Sequence, residues 1–268
     1  MIRLSCLTLF IGLIVASLIS NTSSNVAGKM LAADKYKVIK VDGKIILEKT
    51  KEDLKKGDVF LAGMALNFKT PQSRAAVISS LKGRFILSAS EKGQAKILPA
   101  ANNLSSRAGA LINMIDLQNH FSGRYLVIGE MKLAIGKEAF PLDNEHFFYL
   151  SFDHQGETIR KKLNAEDNHL VLNKEDIFKV DGESITYSEK EMILYYRSEG
   201  ESRKINNFTP VFPSLVDLKD EVRIILDEYS DKDNEKKIKE VTSYLNEFYG
   251  RPQKDNLGAW LEAEFQLK

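Results

Sequence analysis

The sequence contains a single cysteine, Cys6, which lies inside a hydrophobic run close to the amino terminus. A lipoprotein cysteine stands at the end of such a run, so we do not expect lipidation here. If a leader carrying this residue is removed, the mature chain has no disulfide, no cysteine-ligated zinc and no cysteine nucleophile. A cysteine-free exported domain of this size is more typical of a bacterial periplasm than of a disulfide-rich extracellular space.

An excess of charge of one sign is also lacking, because 38 lysines and arginines balance 37 aspartates and glutamates, for a formal net charge of +1. A strong overall attraction to nucleic acid or to an anionic membrane is therefore not expected. We predict no nucleic-acid partner, and membrane contact only through the amino-terminal segment. The hydrophobic fraction of 43% and the charged fraction of 28% indicate an ordinary globular protein.

Several motifs of common catalytic chemistry are absent from the sequence. It has no Gly-x-Ser-x-Gly elbow, no His-Glu-x-x-His motif and no glycine-rich loop that ends in Lys-Ser or Lys-Thr. Serines and aspartates are plentiful, but their presence alone defines no geometry. We therefore predict no cofactor, and an enzyme is the less favoured class of protein.

Four histidines are present, and His146, taken with Asp153 and His154, is the one group that suggests metal ligation or acid–base chemistry. On one strand the two histidines would share a face and lie roughly 26 Å apart, at about 3.3 Å per residue. A single ion cannot bridge that distance unless the chain bends sharply between them. We therefore predict no metal, and these three residues form only an alternative site.

An uncharged hydrophobic run from Leu4 to Ile19 follows a short positive start at Arg3. A spanning helix usually needs about 20 apolar residues, and the apolar part of a signal peptide about 7–15. The run lies between these lengths, nearer the signal peptide, and no clean Ala-x-Ala cleavage site follows, so an uncleaved anchor stays an alternative. Residues 1–33 are assigned to a signal peptide or anchor plus tether. The protein is predicted to be exported, in the periplasm or anchored facing it.

Short strands with frequent turns are predicted for residues 34–100. Tyr36 to Val41 alternates apolar and polar residues, and Asp42-Gly43 predicts a tight hairpin whose return strand covers residues 44–48. Further strands are predicted at residues 59–61, 75–78, 84–88 and 96–98. A turn every ten residues or so predicts a small antiparallel β-barrel or sandwich lobe.

Residues 101–210 are predicted to form a connector helix and a second β-rich lobe. Ser105 and Ser106 can cap the helix, and the apolar residues that follow recur at helical spacing. These apolar residues are Leu111, Ile112 and Ile115. A second Lys-Val-Asp-Gly stretch, at residues 179–182, predicts a turn in the second lobe, and its likeness to residues 40–43 reflects shared turn chemistry rather than duplication.

Residues 211–268 are predicted to form a C-terminal helical segment. Val222 and Ile225 belong to one apolar stripe, and Val241 and Leu245 belong to a second. Gly250 is a natural C-terminal cap. The predicted fold class is thus mainly β with α, with a β-barrel or sandwich lobe, a connector helix, a second β-rich lobe and a helical segment.

An aromatic strand and the basic cluster after it are the candidates for a binding site. The stretch HFFYLSFD, at residues 146–153, places aromatic residues on both faces of a strand, which indicates burial between layers or a face covered by a partner. A basic cluster binds an anion or protects an exposed strand edge. The candidate binding residues are Phe147, Tyr149, Phe152, Arg160, Lys161 and Lys162.

Three stretches of the first lobe carry a family resemblance: VIKVDGKI at residues 38–45, KKGDVFLAG at 55–63 and SRAAVI at 73–78. With the glycine-led strand that begins at Gly83, their order resembles the periplasmic β-domain of FecR-type proteins over about residues 36–100. The resemblance implies an exported β-module of a kind that binds other proteins or envelope components. It does not extend to the second lobe or to the helical segment.

These observations favour an exported bacterial envelope protein that acts as a non-catalytic binding or scaffolding module, with an envelope protein as its partner. One alternative is an envelope hydrolase of unrecognised type, with His146, Asp153 and His154 as its acid–base group. Another is a periplasmic sensor of a small ligand, whose pocket the aromatic strand would line.

Overall fold

The computed structural model describes residues 34–90, 95–98 and 109–268. Within these ranges the protein is mainly β with five helices, and none of its sheets closes into a barrel. The strands are β1 (Lys35–Asp42), β2 (Ile45–Leu47), β3 (Val59–Leu61), β4 (Leu66–Phe68), β5 (Arg74–Ser79), β6 (Gly83–Ala89), β7 (Ala95–Leu98), β8 (Gly123–Leu126), β9 (Met131–Ala134), β10 (Phe147–His154), β11 (Glu157–Lys162), β12 (Asn164–Glu166), β13 (His169–Leu172), β14 (Lys179–Val180), β15 (Glu183–Ser184), β16 (Met192–Ser198), β17 (Glu201–Val211) and β18 (Arg251–Pro252). The helices are α1 (Met114–His120), α2 (Lys174–Ile177), α3 (Leu215–Glu228), α4 (Asn234–Phe248) and α5 (Lys254–Phe265). The predicted signal peptide or anchor at residues 1–33 lies outside the described residues.

A five-stranded antiparallel sheet, in the order β3-β1-β5-β6-β7, forms the first part of the chain. Its central strand β5 is buried on both faces. Ala75 and Val77 pack beneath the small β2–β4 ladder, while Ala76 and Ile78 pack against the C-terminal helices. The apolar side chains of this strand therefore join two separate cores.

The hairpin predicted at Asp42-Gly43 is wrong, because β2 leaves the sheet after β1 and pairs with β4. Gly43 does have the positive φ of a turn, at +76°. The turn is directed by Ser73, whose hydroxyl accepts the backbone N–H of Lys44 at 3.2 Å. The second Lys-Val-Asp-Gly stretch, at residues 179–182, does form a tight hairpin. Asp181 and Gly182 both have positive φ between the paired strands β14 and β15.

A six-stranded mixed sheet, in the order β11-β10-β16-β17-β8-β18, forms the second part. Two-residue turns join β10 to β11 and β16 to β17, and β8 runs parallel to both of its neighbours. One face of this sheet packs on a three-stranded sheet, β12-β13-β9, and on α1. The core between them is rich in aromatic residues, including Phe121, Tyr125, Phe148 and Phe208.

The predicted connector helix is only partly correct. Its proposed caps, Ser105 and Ser106, lie outside the described residues, and α1 begins after Asn113, whose side chain accepts the N–H of Asp116 at 2.9 Å. Leu111 lies before the helix and forms a β-bridge with Ile135. Helical spacing of apolar residues was misleading here because Leu111 is buried through this bridge, whereas Ile115 on the helix is exposed.

The helices predicted within residues 211–268 are present, and they share one core with both large sheets. Ser214 caps α3 and Asp233 caps α4, each through a side-chain oxygen that accepts a backbone N–H of the first turn. The two predicted apolar stripes pack on residues of both sheets, including Ile78 and Leu126. Arg74 and Arg124, one from each sheet, donate to the backbone oxygen of Phe248 at the end of α4, where a cation opposes the negative end of the helix dipole.

Replacing Gly250 by alanine is expected to lower the free energy of unfolding by about 2–4 kcal/mol. Gly250 has φ +106°, and an added Cβ would lie 2.4 Å from the backbone oxygen of Arg124. The matched control is Gly57→Ala, because Gly57 has φ +88° but open space around the added atom. Urea unfolding of both variants separates steric cost from backbone strain, and equal losses at the two positions would contradict the close approach of α4 to β8.

Candidate functional site

Strand β10 alternates between the aromatic core and the opposite, outer face of the six-stranded sheet. Phe148, Leu150 and Phe152 are buried in the core. Phe147 and Tyr149 lie on the outer face and are half-buried. The candidate Phe152 is therefore a core residue, with 3% of its surface exposed.

The neighbouring strands place cations beside the two outer aromatic side chains. On β11, Lys162 lies opposite Tyr149, and Arg160 lies opposite Ser151. On β16, Tyr195 lies opposite Tyr149, and Arg197 lies opposite Phe147. Lys204 of β17 lies opposite Tyr195. We call this surface the aromatic–basic face; it consists of Phe147, Tyr149, Arg160, Lys162, Tyr195, Arg197 and Lys204.

The rings of this face contact one another and a lysine. The rings of Tyr149 and Tyr195 are stacked, with centroids 5.0 Å apart and planes within 7° of parallel. The ammonium of Lys162 lies 4.4 Å from the centroid of the Phe147 ring, which is cation–π geometry. One flat surface of each of these aromatic rings is thus used in a contact within the face.

None of the four cations of the aromatic–basic face has a carboxylate partner among the residues that the structure describes. All four side chains are exposed, whereas other cations of the chain, such as Lys132 and Arg124, are paired with glutamates. An exposed group of like charges raises the local positive potential when none of its members is paired with a carboxylate. The face is therefore suited to bind a negatively charged partner.

Two carboxylates lie at the other end of these strands. Asp153 is the last but one residue of β10 and accepts the Thr158 hydroxyl at 3.0 Å, and Glu191 accepts the Asn207 amide at 2.9 Å. Along β10 this places Asp153 about 13 Å beyond Tyr149 at roughly 3.3 Å per residue. These two carboxylates are thus held by neighbouring polar side chains and lie away from the four cations.

Lys161, the remaining candidate of the basic cluster, does not belong to the face. It lies opposite Leu150, on the other side of the sheet, and its ammonium donates to the backbone oxygen of Lys179 at 2.7 Å.

Of the six candidate residues, Phe147, Tyr149, Arg160 and Lys162 come together. Tyr195, Arg197 and Lys204 were missed, although the period of two in MILYYRS, at residues 192–198, places Tyr195 and Arg197 on one face.

The alternative group of His146, Asp153 and His154 is not assembled. His146 precedes β10 and His154 ends it, so the strand separates them. His146 bonds instead to Asp143, with its Nδ1 atom 2.9 Å from the carboxylate oxygens, and this bond holds the pKa of the Asp143 carboxyl below its usual range. No three histidine, cysteine, aspartate or glutamate side chains of the described ranges are grouped to hold a metal ion.

A cleft of about 480 Å³ lies where the first Lys-Val-Asp-Gly stretch faces α3. At its base the carboxylate of Glu221 is buried and accepts the hydroxyls of Tyr244 and Tyr249 at 2.7 and 2.5 Å. Lys40 contacts the same carboxylate at 3.4 Å, and burial together with Glu221 raises the pKa of both tyrosines. Because these groups satisfy one another, we interpret the cleft as a polar link between β1 and the helices.

The sequence also contains one Ser-x-x-Lys stretch, Ser79 to Lys82, the spacing of some serine nucleophiles. Ser79 is buried, and its hydroxyl donates to Asp34 and accepts the N–H of Leu81. The Lys82 ammonium lies 3.0 Å from the Tyr36 hydroxyl and contacts Asp34. The stretch is therefore a hydrogen-bonded turn between β5 and β6.

Comparison of the chain with protein-family models, with the curated proteins and with the solved structures finds no match in any of the three. Among the described residues, no helix has both the length and the apolar character needed to cross a bilayer. A function for this chain therefore has to be argued from the chemistry of its surfaces.

Proposed function

We propose that this chain is a non-catalytic binding module of the bacterial cell envelope, and that its aromatic–basic face binds an acidic segment of a partner protein. The observation that carries the proposal is the group of four exposed cations without carboxylate partners around the stacked pair Tyr149 and Tyr195. Tyrosine and arginine are enriched at protein interfaces because each combines a large contact area with hydrogen bonding.

The geometry of the rings favours an acidic protein over a single-stranded nucleic acid. Nucleic-acid platforms present open ring surfaces on which bases stack. Here Tyr149 and Tyr195 stack on each other, and Lys162 covers Phe147. These contacts occupy one surface of each ring, and the tyrosine hydroxyls and cationic heads of the face suit carboxylates.

The cellular setting of the proposal rests on the sequence. The hydrophobic run at residues 4–19 supports export, and the stretches at residues 38–78 support a FecR-like β-lobe. The proposed organisation keeps this lobe at residues 34–100, a connector helix with a second β-rich lobe at 101–210 and the helical segment at 211–268. Fractionation of cells that express the full chain is expected to place it in the periplasm or the membrane, and a cytoplasmic location would contradict the setting.

Reversing two charges of the face is expected to abolish most of the binding. The double variant Arg160→Glu/Lys162→Glu should weaken the affinity for a glutamate-rich peptide by at least about tenfold, because both changes place like charges against the ligand. Isothermal titration at low ionic strength measures the dissociation constant. The matched control is Lys239→Glu, which reverses one exposed charge on α4, away from the face.

A specific site and a diffuse charge effect give different results in this titration. The aromatic–basic face is supported as the binding site if Lys239→Glu binds the peptide with wild-type affinity and the double variant does not. Loss of affinity in proportion to net charge in both proteins contradicts it, as does the absence of any binding by the wild type. Tighter binding of single-stranded DNA than of the acidic peptide would also contradict the proposed class of partner.

A further inference from the structure

Strand β11 is an edge of the six-stranded sheet, and it carries two cations of the aromatic–basic face. Among the described residues it pairs with β10 alone, in a regular register from Tyr149–Lys162 to His154–Glu157. An edge strand has one row of backbone N–H and C=O groups that no strand of its own sheet uses. The side chains of the residues that supply these backbone groups determine which kind of strand can pair with β11.

The register identifies the outward backbone groups. The N–H of Leu163 donates to the oxygen of Phe148 at 2.9 Å, so the pair of Leu163 and Phe148 is hydrogen-bonded. Hydrogen-bonded and non-bonded pairs alternate along an antiparallel ladder. The backbone groups of Thr158, Arg160 and Lys162 therefore point away from β10. Two of these three residues, Arg160 and Lys162, also belong to the aromatic–basic face.

This edge differs from the opposite edge of the same sheet. The other edge strand, β18, has two residues, and one of them is Pro252, which has no N–H to donate. β11 has six residues, no proline and no break in its register, and Thr158, Arg160 and Lys162 are exposed. Of the two edges that this sheet has among the described residues, β11 is thus the one that is long and regular enough to accept a further strand.

The charges of β11 select what can add to it. A second copy of β11 would bring its own Arg160 and Lys162 against the same positive group, and like charges on facing strands destabilise pairing. An extended segment with carboxylates at alternate positions would place each of them beside one of these cations. The charges on β11 therefore disfavour pairing with a second copy of this strand and favour pairing with an acidic strand.

We propose that the acidic partner of this chain binds by strand addition: an extended segment with acidic residues at alternate positions pairs with the backbone of Thr158, Arg160 and Lys162. This proposal rests on the proposed function and adds to it the conformation and the sequence pattern of the partner. Backbone hydrogen bonds supply affinity, and the cations at alternate positions supply specificity.

The test uses the full chain and two forms of one short peptide in which glutamate alternates with threonine. The second form carries N-methyl groups on the amides that would face β11, which removes those donors and keeps every charge. We expect N-methylation to weaken binding by roughly tenfold, the loss that follows when several backbone hydrogen bonds cannot form. A peptide of the same composition with its glutamates in one block is expected to bind more weakly than the alternating form.

A pair of protein variants tests the same hydrogen bonds from the other side. Arg160→Ala and Arg160→Pro both remove the charge, but only proline also removes the outward N–H, and proline is tolerated on an edge strand when its N–H side faces solvent. We expect Arg160→Pro to bind the peptide roughly three- to tenfold more weakly than Arg160→Ala. Circular dichroism and urea unfolding identify any difference in folding between the two variants.

The outcomes separate this inference from the proposed function. Strand addition is overturned if binding depends on charge but N-methylation has no effect on it, and Arg160→Ala and Arg160→Pro bind with equal affinity. That result would still support an acidic partner on the aromatic–basic face. Absence of binding by the alternating peptide would overturn both. Strand addition is supported when both the methylated peptide and the proline variant lose affinity.

Discussion

Replacing Arg84 by methionine is expected to lower the free energy of unfolding by about 3–5 kcal/mol, because it removes the cation that compensates a buried carboxylate. Arg84 on β6 forms a two-point contact with Glu247 on α4, with Nη2 3.2 Å from Oε1 and Nη1 in contact with Oε2. Only 1% of the Arg84 side chain and 3% of the Glu247 side chain are exposed. The pair joins the five-stranded sheet to the helical segment.

Two controls make this expectation specific. The double variant Arg84→Met/Glu247→Leu removes both charges, and we expect it to regain most of the lost stability because an apolar pair of similar volume often replaces a buried ion pair without loss. Arg223→Met breaks an exposed contact with Asp220 and should change stability by less than about 1 kcal/mol. Urea unfolding of the three variants measures these differences. A loss at Arg84 no larger than that at Arg223 would show that the pair is not buried.

Stability is expected to fall as the pH is lowered from about 6.5 to 4, and His120 is expected to cause much of this fall. Burial, aided by the nearby guanidinium of Arg251, lowers the pKa of His120 from 6.5 to about 4. Nε2 of the ring lies 2.5 Å from the Tyr125 hydroxyl oxygen, a hydrogen bond that the neutral ring can make. Between these two pKa values the unfolded chain binds a proton that the folded chain does not, so protonation favours unfolding.

The size of the effect follows from the shift in pKa. A difference of about 2.5 units corresponds to roughly 3 kcal/mol that is present above pH 6.5 and lost by pH 4. His120→Gln keeps a hydrogen-bond acceptor without a titrating ring, and it is expected to flatten this part of the stability profile. Equal slopes for wild type and His120→Gln would contradict a buried neutral histidine.

Local chemistry explains which parts of the fold were predictable from the sequence. The caps Ser214 and Asp233 and the apolar stripes of α3 and α4 depend on residues within a few positions of one another, and these helices are confirmed. The hairpin at Asp181-Gly182 is equally local. At Asp42-Gly43 the same turn residues give a different result, because Ser73, distant in sequence, binds the backbone of Lys44. Helix α5 lies within the predicted helical segment, but no apolar stripe was identified for it, and it depends on packing of Leu257 and Leu261 into a shared core.

The candidate site was predictable to the extent that it depends on one strand. The alternation of Phe147 and Tyr149 with core residues follows from the period of two, and it needs no knowledge of neighbouring strands. The stacking of Tyr149 on Tyr195 depends on the register of β10 against β16, and the position of Lys204 depends on an irregularity in the pairing of β16 with β17. Register between strands is set by tertiary packing, and this part of the face could not be read from the sequence.

The most direct test of the central claim is to locate the bound acidic peptide on the full chain by nuclear magnetic resonance. The aromatic–basic face is expected to respond, with shifted ring signals of Tyr149 and Tyr195 and shifted amides of β11. The indole of Trp260 on α5, the single tryptophan of the sequence, serves as an internal control that should not shift. Shifts confined to the lysines that line the cleft at α3, which are Lys40, Lys44, Lys55 and Lys56, would contradict the proposed binding site, as would the absence of saturable shifts at the face.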